Sequence, residues 1–181
     1  MVDLPKGPLY IYVDGSCIGN QNVTSETPAG WGFVVINGDS GLGKGSGNII
    51  KEASGKVITN KHDSEFIGAE VGSNNTAELS AFVHCLKWIL VEGMEQEIII
   101  RTDSNYAGNI VEGNWKAKSN KAIASLSQEL WGEVKSLGKL SWTHIRAHQG
   151  HRWNERADHL AIRAAQNSSP IPIDFWKPGL R

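Results

Sequence analysis

Cysteine is scarce in this chain. Cys17 and Cys85 stand far apart and without metal-ligand spacing, which argues against a cysteine-bound metal or a disulfide framework and for reduced, packed thiols. An excess of charge of one sign is also missing. With 18 Lys and Arg against 19 Asp and Glu, the formal charge is -1 and the pI is near 6.6. Any grip on a polyanion must therefore come from a local patch. No apolar run approaches membrane-spanning length. The N-terminal stretch Met1 to Lys6 carries an acid and a proline where a signal peptide would carry an apolar core. These absences lead us to expect a cytoplasmic protein without a membrane segment.

What is present is ordinary globular material, 40% hydrophobic and 20% charged over 181 residues. That length is one domain, able to bury about 70% of its unfolded surface without staples. The stretch from Leu9 to Cys17 reads as a strand of aromatic and β-branched residues. It carries Asp14 just before Gly15. A carboxylate in such a strand must be paired, protonated or bound to a metal, unless Asp14 simply starts an Asp-Gly-Ser turn.

A second strand is expected from Gly30 to Ile36, hairpin-paired with the first. The segment from Gly38 to Gly55 is rich in Gly and Ser, and β-like pieces follow around Lys56 to Thr59 and Phe66 to Val71. The stretch from Asp39 to Ser64 reads as an insertion lengthening the connection between second and third strands. Within it, Gly38 to Lys44 nearly spells a phosphate-binding P-loop, but neither the Ser or Thr nor the helix start that the motif needs comes after the lysine.

Spacings of three and four among Leu79, Phe82, Val83, Leu86, Ile89 and Leu90 predict a helix from about Thr76 to Glu92, stopped by Gly93. Glu97 to Thr102 is a near-continuous apolar strand of the kind buried in parallel pairing. A short helix is expected from Ser104 to about Glu112. Another carries the stripe Ile123, Leu126, Leu130, Val134 and Leu137, with a stop at Gly138. A strand from Leu140 to Ile145 and an alanine-bearing helix from Asn154 to Gln166 complete the domain, 1–167. The remaining 168–181 is a proline-containing tail that cannot be helical.

Four carboxylates fall at strand or helix ends: Asp14, Glu78, Asp103 and Asp158. Each has a structural alternative. Asp103 could cap a helix, Glu78 could form a capping box with Asn75, and Asp158 could serve a helix dipole in the first turn. In an α/β fold, however, strand C-termini and helix starts converge on one crevice, so the four together favour a shared metal site.

The runs Tyr12 to Ser16, Ser73 to Leu79, Thr102 to Ser104, and Ala147 to His151 leading into Asn154 to Asp158 resemble, in order, the signature segments of type 1 ribonuclease H. The resemblance spans roughly residues 8–166. It implies an α/β ribonuclease H-like fold: a five-stranded mixed sheet, three antiparallel strands then two parallel, flanked by helices. It implies hydrolysis of the RNA strand of RNA-DNA hybrids, leaving 5′-phosphate and 3′-hydroxyl ends. Asp14, Glu78, Asp103 and Asp158 would hold two Mg²⁺ ions, with Mn²⁺ a substitute, about 4 Å apart and bridged by Asp14. His148 matches the family's mobile-loop histidine, an aid to proton transfer or product release; alone it would pass as a solvated loop residue.

The same resemblance places Asn20, Asn74 and Asn75 against the hybrid's minor groove, where 2′-hydroxyls are recognised, and Ser73 with Asn120 in a DNA-phosphate pocket. Asn154 is a further substrate-side candidate. The arginine that often helps this pocket falls at Val71 here. Trp115, Lys116, Lys118 and Lys121 form a basic and aromatic cluster suited to phosphates and a deoxyribose face, or else an ordinary solvated turn. There is no room for the basic helix that some relatives insert, so hybrid affinity should be modest and salt-dependent. A monomer is expected, with Phe175 and Trp176 of the tail docked on their own domain or on a protein partner. Two other readings compete: a transposase or integrase of similar fold, which would lack the Asn-Glu-Arg-Ala-Asp helix start and the His loop, and a catalytically silent hybrid-binding module.

Overall fold

The computed structural model describes residues 7–147, 149 and 151–181. Among them, the elements run β1 (Leu9–Cys17), β2 (Ala29–Asn37), β3 (Asn48–Lys56), α1 (Asn74–Glu92), β4 (Ile98–Thr102), α2 (Asn105–Glu112), α3 (Lys121–Lys135), β5 (Leu140–His144) and α4 (Arg152–Ala165), followed by a single 3-10 turn at Ile173–Phe175. The sheet order is β3-β2-β1-β4-β5. β1 pairs antiparallel with β2, and β2 with β3, while β1–β4 and β4–β5 are parallel. This is the three-plus-two mixed sheet expected.

Strand alternation divides the core into two. Leu9, Ile11 and Val13 of β1 join Phe33 and Val35 of β2 beneath α1, with Ile123, Leu130 and Val134 of α3 behind it. Tyr12, Val34 and Ile36 face the other way, onto Trp153 and Ala157 of α4. Lying between the sheet and α3, α1 buries Ala77, Ala81 and Cys85 as well as its expected apolar stripe. Cys17 and Cys85 are both free thiols. No helix among the described residues is long and apolar enough to cross a membrane.

The alanines of α4 serve close approach. Ala157, Ala161 and Ala165 are buried, and β2 presents Gly30 beneath them; a β-carbon there would overlap the Ala161 backbone.

Several boundaries differ from expectation. The third strand is Asn48–Lys56, inside the presumed insertion, and Phe66 to Val71 is not a strand. β3 is an edge strand with a half-exposed pattern, so its Lys, Glu, Ser and Gly residues disguise it. The β2–β3 connection is therefore only the glycine-rich loop 38–47. Leu137 lies beyond the end of α3 and is exposed.

The tail folds back on α4 despite its prolines, which bracket the short 3-10 turn. Trp176 is 3% exposed, with the guanidiniums of Arg156 and Arg152 at 5.3 and 5.9 Å from its ring. Docking on the chain itself thus holds for Trp176, whereas Phe175 is 77% exposed. Arg156, 1% exposed, ties three parts together. It donates to both carboxylate oxygens of Glu52 on β3, at 3.0 and 2.7 Å, and to the Ile171 carbonyl at 2.8 Å. Beside it, the Ile171 N–H donates to His159 Nε2 at 2.9 Å.

Removing Glu52 strands a buried guanidinium. Loss of one partner of a buried pair costs about 3–5 kcal/mol, reduced here to about 2–3 because water reaches Glu52. We expect Glu52→Ala to lower Tm by about 4–12 °C at this chain length. Lys139→Ala, which breaks the exposed pair with Glu97, should change stability by no more than about 0.5 kcal/mol. Thermal unfolding of both variants checks this, and equal losses would contradict the anchoring role of Arg156.

Candidate metal centre

The parallel register explains why two of the carboxylates meet. β1 and β4 pair from Leu9 with Ile98 up to Tyr12 with Arg101. Two residues further along stand Asp14, still within β1, and Asp103, one residue past the end of β4. Recorded pairing stops at Tyr12, so both carboxylates lie where the strands have parted, at the C-terminal edge that forms the crevice in open α/β sheets.

Glu78 arrives from α1. A β-carbon on Gly15 would overlap the backbone of Ala77 and Glu78, so glycine at this position lets the helix rest on β1 one residue after Asp14. Oxygen atoms of Asp14, Glu78 and Asp103 consequently lie within 4.8 Å of one another. Asp158, from α4, is outside this tight group but near enough for its charge to act on Asp14 and Glu78.

The structural alternatives for these acids are corrected by the helix caps. Ser73, not Asn75, caps α1, and its capping-box partner is Thr76, which leaves Glu78 without a capping role. Ser104, not Asp103, caps α2 by accepting from Ala107 N–H at 3.0 Å. Because α4 starts at Arg152, Asp158 is well past the first turn, whose acid is Glu155.

Burial makes the cluster electrostatically uncomfortable. Asp14 is 3% and Glu78 8% exposed. Burial first, then the charges of Glu78, Asp103 and Asp158, hold Asp14 well above its ordinary carboxylate range. Burial and then Asp103 push Glu78 from 4.5 up to about 8. Gly15 N–H donates to Asp14 Oδ1 at 2.8 Å, but Glu78 Oε2 is buried with no hydrogen-bond partner. Among the described residues no lysine or arginine forms an ion pair with Asp14 or Glu78. An all-oxygen donor set with an orphaned buried oxygen fits a hard divalent cation, which would supply the missing positive charge.

The remaining candidates fall into three groups. Asn20, Ser73, Asn75 and Asn120 line one cavity of about 430 Å³, together with Glu70 and Val71. Asn74 is exposed beside it, its N–H donating to Asn20 Oδ1 at 3.0 Å. Trp115, Lys116 and Lys118 line two neighbouring cavities, one of which also includes Lys121 and Gln128. Asn154 stands apart, buried in α4 with Oδ1 unsatisfied. His148 lies outside the described residues.

Sequence reasoning missed three contributors. Gly15 was legible as a turn residue, but its close contact with α1 is a tertiary property. Arg156 lies inside a recognised motif without any sign that it would be buried. Glu70, beside Val71, places an acid in the cavity of Asn20 and Ser73, which only the three-dimensional arrangement reveals.

Comparison with known proteins adds four findings. The family model described as RNase H matches residues 6–166. A ribonuclease H of Neisseria meningitidis serogroup C is 32% identical over 172 residues, covering 90% of this chain and 98% of that protein. Among solved structures, LC11-RNase H1 in complex with an RNA/DNA hybrid is similar with a TM-score of 0.62 and 25% identity, over 88% of this chain and 97% of that one. RNase H1 of the archaeon Halobacterium salinarum shares the fold at TM-score 0.63 and 24% identity, over 90% and 100% of the two chains.

The raised acids make a thermodynamic prediction for the metal-free protein. A folded-state value above the unfolded one means that the protonated carboxyl stabilises the fold fully below about 4.5, and that this is lost as pH rises through about 8. Under chelation, Tm should fall between pH 6 and pH 9, and Glu78→Gln should flatten the fall. Asp14→Asn should raise the metal-free Tm at pH 8 by about 2–8 °C by removing a buried charge, and should lose the stabilisation that a divalent cation gives the unsubstituted protein. Indistinguishable pH profiles for the unsubstituted and Glu78→Gln proteins would count against a strained cluster.

Proposed function

The chain belongs to the ribonuclease H family, and from that premise we propose how its own residues carry out the reaction. It is an endonuclease that hydrolyses the RNA strand of RNA-DNA hybrids. The observation that carries the assignment of the site is the convergence of Asp14, Glu78 and Asp103 within 4.8 Å in a buried crevice, with Asp158 adding a fourth charge.

Asp14, Glu78, Asp103 and Asp158 would hold the divalent cations, with Mg²⁺ the expected species, two ions bound and Mn²⁺ a substitute. When bound, such cations make water a competent nucleophile at neutral pH and stabilise the departing oxygen. The chain's own contribution is to hold four acceptors in place before substrate arrives. Asp14 and Glu78 are kept dry by the contact of α1 with β1, which strengthens their hold on a cation by excluding competing water. Asp103, only half-buried, opens the cluster toward the substrate side. His148 is proposed to assist proton transfer or product release, and the products to carry 5′-phosphate and 3′-hydroxyl ends.

Recognition is assigned to two surfaces. Asn20, Asn74 and Asn75 offer short amide groups that can both donate to and accept from a 2′-hydroxyl. Ser73 and Asn120 would receive a DNA phosphate, with Asn154 supporting the substrate side from within α4. Trp115, Lys116, Lys118 and Lys121 would hold further phosphates and a sugar face. Glu70 and Val71 stand where an arginine would help, so this pocket holds phosphate weakly and the lysine cluster carries more of the salt-sensitive affinity. A monomer working in the cytoplasm is consistent with two free thiols.

The test uses an RNA strand labelled at one end and annealed to DNA. We expect cleavage with Mg²⁺, none under chelation, and none of single-stranded RNA, double-stranded RNA or double-stranded DNA. Asp103→Asn should cut at least about 10³-fold more slowly, a loss of several kcal/mol of transition-state stabilisation, while binding hybrid within about threefold. Normal cleavage by Asp103→Asn would refute the metal assignment. In that silent background, Glu70→Gln should tighten hybrid binding by about twofold or more at low salt, as read by fluorescence anisotropy.

A further inference from the structure

Residues 168–181 do more than cover the outer side of α4. With Trp176 buried as the anchor, its indole N–H donates to the Leu180 carbonyl at 3.1 Å, and Leu180 N–H donates to the Lys177 carbonyl at 3.1 Å. Arg163 on α4 uses one terminal nitrogen on the Ser169 carbonyl at 3.4 Å and the other on the Arg181 carbonyl at 2.9 Å. The backbone at 180–181 is therefore held from two sides. It is held beside the cluster, because Gly179, Leu180 and Arg181 line a cavity of about 230 Å³ with Glu155 and Asp158.

Arg181 thus lines the same cavity as Asp158, the fourth of the clustered carboxylates. Among the described residues, the Arg181 side chain makes no ion pair or hydrogen bond; only its carbonyl is engaged. A fixed positive charge next to a cation-binding cluster opposes cation binding, so metal affinity gives no reason for it. An anionic partner does. The planar guanidinium fork matches two phosphate oxygens at once, and the polymer that the cluster acts on carries a phosphate on either side of the one it cleaves.

We propose that Arg181 is a substrate-binding residue, which holds a backbone phosphate flanking the scissile one on the Asp158 side of the cluster. The C-terminal segment is then a working wall of the active site. This inference rests on the ribonuclease reading above.

Binding of a fluorescent RNA-DNA hybrid is measured in the Asp103→Asn background across 50–200 mM salt, with and without Arg181→Ala. One phosphate contact fewer should lower the slope of log K against log salt by about 0.7–0.9 and weaken binding about 3- to 10-fold at the low-salt end. Arg181→Lys should restore the slope but only part of the affinity, since a point charge lacks the fork. In the active protein, Arg181→Ala should raise KM with kcat within about twofold, and Tm should be unchanged. Trp176→Ala, which frees the anchor, should lose the same slope together with stability. An unchanged slope in Arg181→Ala overturns the proposal. So does an unchanged slope with tighter Mg²⁺ binding by calorimetry, which would make Arg181 a counter-ion of Glu155 and Asp158. If the unsubstituted protein binds hybrid but never cuts it, the ribonuclease reading fails instead, and the binding slopes still decide the role of Arg181.

Discussion

Negative charge held in a dry crevice is the condition to which the rest of this fold is fitted. Asp14, Glu78 and Asp103 bring their oxygens within 4.8 Å of one another, at a cost in desolvation and repulsion, and among the described residues no lysine or arginine forms an ion pair with Asp14 or Glu78. An isolated folding energy would avoid such an arrangement. The fold keeps it through ordinary devices placed around it. The parallel pair β1–β4 ends its ladder just before the two aspartates, so they open into a cleft rather than into the core. Gly15 removes the β-carbon that would hold α1 away. Ser73 and Ser104 take the capping duties, so neither Glu78 nor Asp103 caps its helix.

Asp158 depends on a different part of the molecule. Three of the carboxylates come from β1, β4 and α1, which pack around one core; the fourth rides on α4, across the sheet. There the register of the helix is set by alanines over Gly30 and by Arg156, whose guanidinium is engaged by Glu52 and the Ile171 carbonyl. The orientation matters electrostatically. An arginine two residues from Asp158 could have neutralised the cluster, and pairing it with β3 keeps that charge out of the site while locking the helix that carries Asp158.

Legibility in the sequence followed burial on both faces. β1, β4 and α1 are apolar enough that period and propensity identify them, and the carboxylates are visible as charges at the ends of those elements. β3 escaped because an edge strand needs only one apolar face, and its Gly, Ser, Lys and Glu residues resemble loop composition. The cap of α1 was misplaced because Ser73 and Asn75 are both good N-cap types, and the choice between them rests on whether Thr76 can return the bond to Ser73. Leu137 extended a helical stripe in sequence but stands past the helix end. Contacts such as Gly15 against α1, or Glu52 with Arg156 across 104 residues, have no local signal, since only the assembled topology brings those positions together.

A chain of net charge -1 that handles a polyanion has to separate its charges in space. Lys116, Lys118 and Lys121 gather at the cavities beside Trp115, Arg181 lines a cavity with Asp158, and Asp14, Glu78 and Asp103 form a cluster of their own. Without metal, the clustered acids repel the very phosphates that the basic residues attract. Cation loading reverses the sign of that central contribution. Metal and hybrid must then bind cooperatively, each raising the affinity of the other by the same factor. The raised proton affinity that burial gives Asp14 and Glu78 acts in the same direction, because a cation entering the cluster displaces protons as it binds. The strained carboxylates therefore couple three equilibria, of proton, metal and substrate, at one crevice, and it is the dryness created by α1 resting on Gly15 that makes the coupling strong.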